Sequence, residues 1–125
     1  MRRAQVLVYE ADGRLAELLR EAAHKHSWWL RELRQVGSVR ELLRPGGSTV
    51  LVLKIGRDLE RELGLLEEVG WLYPQTATVV VGDTDSAALA DLAWDLGARL
   101  VLFPPLPRLH LPGVVEALME VKREA

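Results

Sequence analysis

The chain contains no cysteine, which removes disulfides, zinc-thiolate sites, iron–sulfur clusters and cysteine nucleophiles at once. It has no apolar run near the roughly 18 residues that a membrane span requires. Its start, Met1-Arg2-Arg3-Ala4-Gln5-Val6, carries two positive charges but no apolar stretch long enough for a secretory leader, so a cytoplasmic protein is expected. It also lacks an excess of positive charge. Sixteen Lys and Arg stand against 18 Asp and Glu, for a formal net charge of −2, and the basic footprint of a nucleic-acid-binding domain is missing. The charges are interspersed, without an acidic or basic tail. There is no repeat, low-complexity tract or long linker. What remains is 125 residues, 49% hydrophobic and 27% charged, the balance of one ordinary globular domain spanning 1–125.

Apolar character alternates between two periods. Val6-Leu7-Val8-Tyr9, Val50-Leu51-Val52-Leu53, Val79-Val80-Val81 and Leu100-Val101-Leu102-Phe103 are short continuous apolar runs bounded by turn or charged residues. Such runs fit strands buried on both faces. Between and after them lie helical stripes: Leu15, Leu18, Leu19, Ala22 and Ala23; Leu59, Leu63, Leu66 and Val69; Leu89, Leu92, Ala93 and Leu96; Leu111, Val114, Val115, Leu118 and Met119. A second strand falls around 29–35, where Trp29, Leu30 and Leu33 mix with Arg31, Glu32 and Arg34; a half-polar strand belongs at a sheet edge.

Boundary residues support this order. Ser38-Val39-Arg40-Glu41 reads as a capping box opening a short helix, ended by Pro45-Gly46-Gly47. Asp12, Asp58 and Asp85 read as N-caps, and Gly70 and Gly97 as left-handed C-caps. The result is βαβαβαβαβα: a parallel sheet covered by helices on both faces and joined by right-handed crossovers. The functional crevice of such a sheet lies outside the carboxyl ends of its strands, which directs attention to Glu10, Ala11, Asp12, Lys54, Gly82, Asp83, Pro104 and Pro105.

With these residues in place, nearly the whole chain resembles the receiver domain of two-component response regulators. The resemblance rests on Val6-Leu7-Val8-Tyr9-Glu10-Ala11-Asp12 as first strand and acidic turn, and on Gly64-Leu65-Leu66-Glu67-Glu68-Val69 in the third helix. It rests also on Gly97-Ala98 followed by Leu100-Val101-Leu102-Phe103-Pro104-Pro105. It implies a flavodoxin-like (βα)5 three-layer α/β sandwich, with a five-stranded parallel sheet in the order 2-1-3-4-5. It also implies a cis bond at Pro104-Pro105.

The receiver family transfers a phosphoryl group from a histidine kinase to an aspartate at the end of strand three. An acidic pair holds magnesium, and a hydroxyl residue after strand four and a lysine after strand five bind the phosphoryl oxygens. This sequence departs at almost every one of these positions. Lys54 stands at the nucleophile position, Glu10 with Ala11 at the acidic pair with Asp12 nearby, Gly82 at the hydroxyl position, Pro104 at the lysine position with Pro105 after it, and Val101 where an aromatic residue toggles. The resemblance therefore implies a degenerate receiver, non-enzymatic, without cofactor and without bound magnesium, acting in signalling or scaffolding through a protein partner or a homodimer.

Lys54 ends an apolar strand, where an unpaired charge is expensive. One reading makes it an anion site; the other makes it half of a structural ion pair with Glu10, Asp12 or both, filling the space of the missing metal. The alternative function is accordingly a small-ligand or anion sensor, or a small enzyme, using the strand-end pocket of Glu10, Lys54 and Asp83. The loop Pro45-Gly46-Gly47-Ser48 lacks the Gly-Lys-Ser/Thr and following helix of a phosphate loop. His24 and His26, two apart at a helix end, suit a cationic C-terminus rather than a metal site. His110 is isolated. Of the four tryptophans, Trp71 and one of Trp28 and Trp29 are expected in packing. Trp94 lies off its helix's apolar stripe and is expected, with Val101, Phe103 and Leu106, at a contact surface on the fourth helix and fifth strand.

Overall fold

The computed structural model describes residues 4–124; the basic start at Met1, Arg2 and Arg3, where no leader is expected, and Ala125 lie outside them. The elements are β1 (Gln5–Tyr9), α1 (Arg14–His26), β2 (Trp29–Leu33), α2 (Val36–Leu43), β3 (Thr49–Lys54), α3 (Leu59–Leu72), β4 (Ala77–Val81), α4 (Ala87–Asp95), β5 (Leu100–Leu102), a 3-10 turn at Arg108–His110, and α5 (Leu111–Glu124). All strands pair in parallel, in the order β2-β1-β3-β4-β5. This is the flavodoxin-like architecture.

The side-chain alternation of each strand divides the core in two. Val6, Val8, Val50, Val52, Val79 and Val81 face one way, packing with Leu15, Ala16 and Leu19 of α1 and with Leu111, Val115 and Met119 of α5. Leu7, Leu51, Leu53 and Val80 face the other way, against Val39 and Leu43 of α2, Leu65, Leu66 and Val69 of α3, and Ala93 of α4. A strand buried on both faces has no need of polar residues, which is why β1, β3 and β4 read as unbroken apolar runs. Edge strand β2 keeps only Leu30 and Leu33 half-buried while Arg31 and Glu32 are exposed.

Several boundaries differ from the sequence reading. The helix around Ser38 begins at Val36, one turn earlier, and Ser38 sits inside it. Its N-cap is Gln35, with no side-chain cap; Val36 packs against the core, and that packing sets the start in place of a capping box. Gly70 is no C-cap: α3 continues through it to Leu72. Gly97, by contrast, follows α4 with φ +115°, and the Ala98 amide donates back to the Ala93 carbonyl at 3.0 Å, closing the helix as expected.

Asp58 caps α3 by accepting from the Arg61 amide. Ser86, not Asp85, caps α4. Asp12 does not cap α1, whose N-cap is Gly13 at φ +77°. The buried face of α3 is Glu62, Leu65, Leu66 and Val69. It is turned away from Leu59, which is 40% exposed, because the helix meets the sheet through Leu65. Leu92 of α4 is likewise exposed, and Trp71 is 83% exposed rather than packed, because it follows Val69, the last buried residue of α3, and lies off that buried face. Trp28 packs on the core while Trp29 stays exposed.

Candidate functional site

Register brings the functional rim together. Tyr9 lies opposite both Leu33 and Leu53, and Lys54 opposite Val81, so the residues following β1, β3 and β4 emerge side by side. They line a cleft of about 560 Å³ formed by Tyr9, Glu10, Ala11, Asp12, Arg34, Lys54, Ile55, Gly56, Arg57, Asp58, Arg61, Glu62 and Asp83. Of the site residues expected from sequence, Glu10, Asp12, Lys54 and Asp83 meet here. Gly82, Pro104 and Pro105 are not among the lining residues.

Lys54 forms an ion pair, but not with the expected partners. Its Nζ lies 3.0 Å from Asp83 Oδ2. The other oxygen of Asp83, Oδ1, receives the guanidinium of Arg108, a residue that sequence reasoning missed. One carboxylate thus bridges two cations, one at the end of β3 and one in the turn before α5, and the trio keeps one net positive charge. The Lys54 side chain keeps only 18% of its exposure. Burial pushes its pKa down, and the Arg108 charge pushes it further; Asp12, Glu10 and Glu62 act against both from a distance.

Glu10 is not free to pair with Lys54. It is 5% exposed, and its two oxygens accept the amides of Leu15 and Ala16, each at 2.9 Å. The carboxylate therefore caps the first turn of α1, where the positive end of the helix favours an anion. This explains why Asp12 is not the cap. Asp12 instead accepts the Arg14 amide at 3.2 Å, a bond that holds its carboxyl below the usual range.

The hydroxyl position is closed. Gly82 is buried beneath the ring of Phe103, whose Cε1 would lie 2.6 Å from a Cβ placed on the glycine. Phe103 and Val101 are each only 6% exposed and belong to the core. They are therefore not surface contacts: β5 turns both inward against the α2–α3–α4 layer. Trp94 and Leu106, 46% and 51% exposed, do lie on the surface. The Pro104-Pro105 bond is cis, as expected.

Glu62 was also missed. It is 4% exposed, and its oxygens accept the amides of Gly56 at 2.8 Å and Asp58 at 3.1 Å, fixing the β3–α3 loop that floors the cleft. The signal existed: Glu62 falls on the stripe of Leu65, Leu66 and Val69, where a carboxylate needs donors. Burial first, then the Glu62 charge, raises the pKa of the Tyr9 phenol across the cleft.

A receiver site implies magnesium on oxygen ligands. The groups here do not fit that ion. Both Glu10 oxygens are committed to backbone amides, and the end of β3 presents an ammonium in place of a carboxylate. Among the described residues, no group of three or more His, Asp or Glu side chains is placed to hold a metal.

No protein-family model and no curated protein matches the sequence. Solved structures match the fold. A response regulator from Thermotoga maritima superposes with a TM-score of 0.77 at 16% identity, covering 95% of this chain and 99% of that one. A CheY-like receiver domain protein from Methanospirillum hungatei gives 0.76 at 15% identity, covering 99% and 100%. NtrX from Brucella abortus, in complex with ADP, gives 0.75 at 21% identity over 98% of this chain but only 28% of its own length. The chain has the fold of response-regulator receiver domains. Among the described residues no helix is long and apolar enough to cross a membrane.

Proposed function

We propose that this chain is a non-phosphorylatable pseudo-receiver: a cytoplasmic, non-enzymatic signalling or scaffold module of a two-component-type system that works through protein contacts. One observation carries the reading. The residue at the end of β3, where a receiver needs a carboxylate nucleophile, is Lys54, held at 3.0 Å from Asp83. An ammonium offers no oxygen to a phosphoryl group and repels a divalent cation. Glu10 spent on α1 and Gly82 closed by Phe103 support the same reading. The anion-sensor alternative is the weaker one, because Asp83 already occupies both Lys54 and Arg108 and an anion would have to displace it.

The contact face in this reading is α4 with the β5 edge. Trp94 and Leu106 are exposed there, and the three-residue β5 has a neighbour only on its β4 side; such an edge needs cover. A two-fold homodimer is the simplest form, with a different protein as the other.

Incubation with acetyl phosphate and with trifluoroberyllate tests the site: an unchanged intact mass and an unchanged amide spectrum are expected, and a stable acyl phosphate would overturn the proposal. Sedimentation tests the face: Trp94→Glu is expected to give a folded monomer from a wild-type dimer, or to abolish capture of a partner protein.

A further inference from the structure

At the end of the sheet opposite the cleft, the last turns of α3 and α4 meet through two glycines. A Cβ on Gly70 would lie 3.2 Å from the Leu96 carbonyl oxygen, and one on Gly97 would lie 3.6 Å from Gly70 Cα. The bare backbones leave a groove of about 320 Å³ lined by Glu67, Gly70, Trp71, Asp95, Leu96 and Gly97. Trp71, at 83%, is the most exposed large apolar side chain of the described residues. A tryptophan so placed contributes little to its own core, and tryptophan is among the side chains enriched at the centre of binding surfaces.

The charges that line the groove have one sign; Arg99, two residues past Gly97, is not among its lining residues. The groove's two charged residues, Glu67 and Asp95, are both acidic. Helix α4 contains no base, and the one base of α3, Arg61, sits in its first turn beside Asp58 at 3.5 Å. Both helices also end here, and helix C-termini carry partial negative charge. Two carboxylates, two negative helix ends and an aromatic face make a complement to a cation with an apolar stem.

We propose that this groove is a docking site for an extended segment of a partner protein that bears arginine or lysine beside apolar residues. The cation lies between Glu67 and Asp95, its methylenes cross the glycine floor, and Trp71 covers it. A second copy of this chain is the poorer occupant, because a two-fold contact through the groove would set acidic rims and negative helix ends against themselves. The groove does not include Trp94 and stands apart from the cleft, so the proposal holds or fails independently of the phosphorylation reading.

The test is an amide-resolved titration of the intact chain with an acetylated hexapeptide alternating arginine and leucine, with a glutamate–leucine hexapeptide as control. Saturable shifts are expected at the Trp71 indole and at the Gly70 and Gly97 amides, weakening as salt rises, with Lys54 and Asp83 unmoved. Glu67→Lys combined with Asp95→Lys is expected to weaken binding by about tenfold or more, and Trp71→Ala by about threefold. All three positions are exposed, and an otherwise unchanged spectrum shows that each variant is folded. Equal binding by the charge-reversed variant, equal shifts from the acidic peptide, or burial of Trp71 in a concentration-dependent dimer would each overturn the proposal.

Discussion

The ring of Phe103 occupies the space that a side chain on Gly82 would need, its Cε1 and Cδ1 lying 2.6 and 2.9 Å from where a Cβ would stand. The two residues follow adjacent strands: the Gly82 amide donates to the Leu102 carbonyl at 3.2 Å, and Phe103 continues β5 into the core. Gly82→Ser therefore forces the ring to move. Overpacking of this kind costs about 1–3 kcal/mol, read as a lower midpoint in urea. Combined with Phe103→Ala, the loss is expected to fall short of the sum of the two single losses by about 1 kcal/mol. Full additivity would mean that the ring yields freely.

Glu10→Ala removes the anchor of the first turn of α1 and leaves the Leu15 and Ala16 amides without their partner. Loss of a charged cap with two bonds is expected to cost about 1.5–3 kcal/mol. Hydrogen exchange reports it most directly, through faster exchange at Leu15 and Ala16 with little change at α5. Glu10→Gln keeps one acceptor and falls between.

Lys54 and Asp83 respond unequally to removal. Lys54→Met leaves Asp83 paired with Arg108 and relieves a half-buried charge, so the change at neutral pH is expected to stay within about 1 kcal/mol. Asp83→Asn leaves two cations facing each other and costs more than Lys54→Met. The pH dependence has a definite sign. The Lys54 pKa in the fold lies below the ordinary lysine value of 10.5, so between those two values the unfolded chain holds more protons and wild-type stability gains as pH rises. The stability of wild type relative to Lys54→Met should rise on approaching pH 10.5, and a difference independent of pH would contradict the shift.

Glu62→Gln alters a neighbour. Tyr9 has its phenol pKa raised above 10.0, by burial first and by the Glu62 charge second. Neutralising Glu62 is expected to lower the Tyr9 titration toward 10.0 without reaching it, followed by phenolate absorbance in a chain whose other tyrosine, Tyr73, is replaced by Phe. Glu62→Ala also frees the Gly56 and Asp58 amides and is expected to cost about 1–3 kcal/mol.

The fold was legible because strands buried on both faces leave unbroken apolar runs, and β1, β3 and β4 are such strands. The helix faces of α1 and α5 are legible because their apolar stripes coincide with their buried faces, whereas in α4 the stripe includes the exposed Leu92. In α3 a buried carboxylate broke the stripe, and the face was read one flank away from its true position. The site was legible in its departures, since Lys54, Glu10 and Gly82 each occupy a position where the chemistry of a receiver is demanding. The partners were not legible. Whether Lys54 meets Glu10 or Asp83 depends on what else competes for Glu10, and two amides of α1 compete successfully. Arg108 lies 25 positions after Asp83, beyond any local spacing rule, and reaches it only because the chain folds back before α5. Val101 and Phe103 face inward against the expectation, because a three-residue edge strand and the residue after it show too little alternation to declare which face is inward.

The capping of α1 by Glu10 makes the helix itself a competitor for that carboxylate. Any divalent cation that entered the cleft and drew on Glu10 would compete with two backbone amides for the charge of that carboxylate. Conversely, whatever tightens the start of α1 lowers the affinity of the cleft for cations. Ion uptake and the fraying of one helix end are thus linked through a single carboxylate.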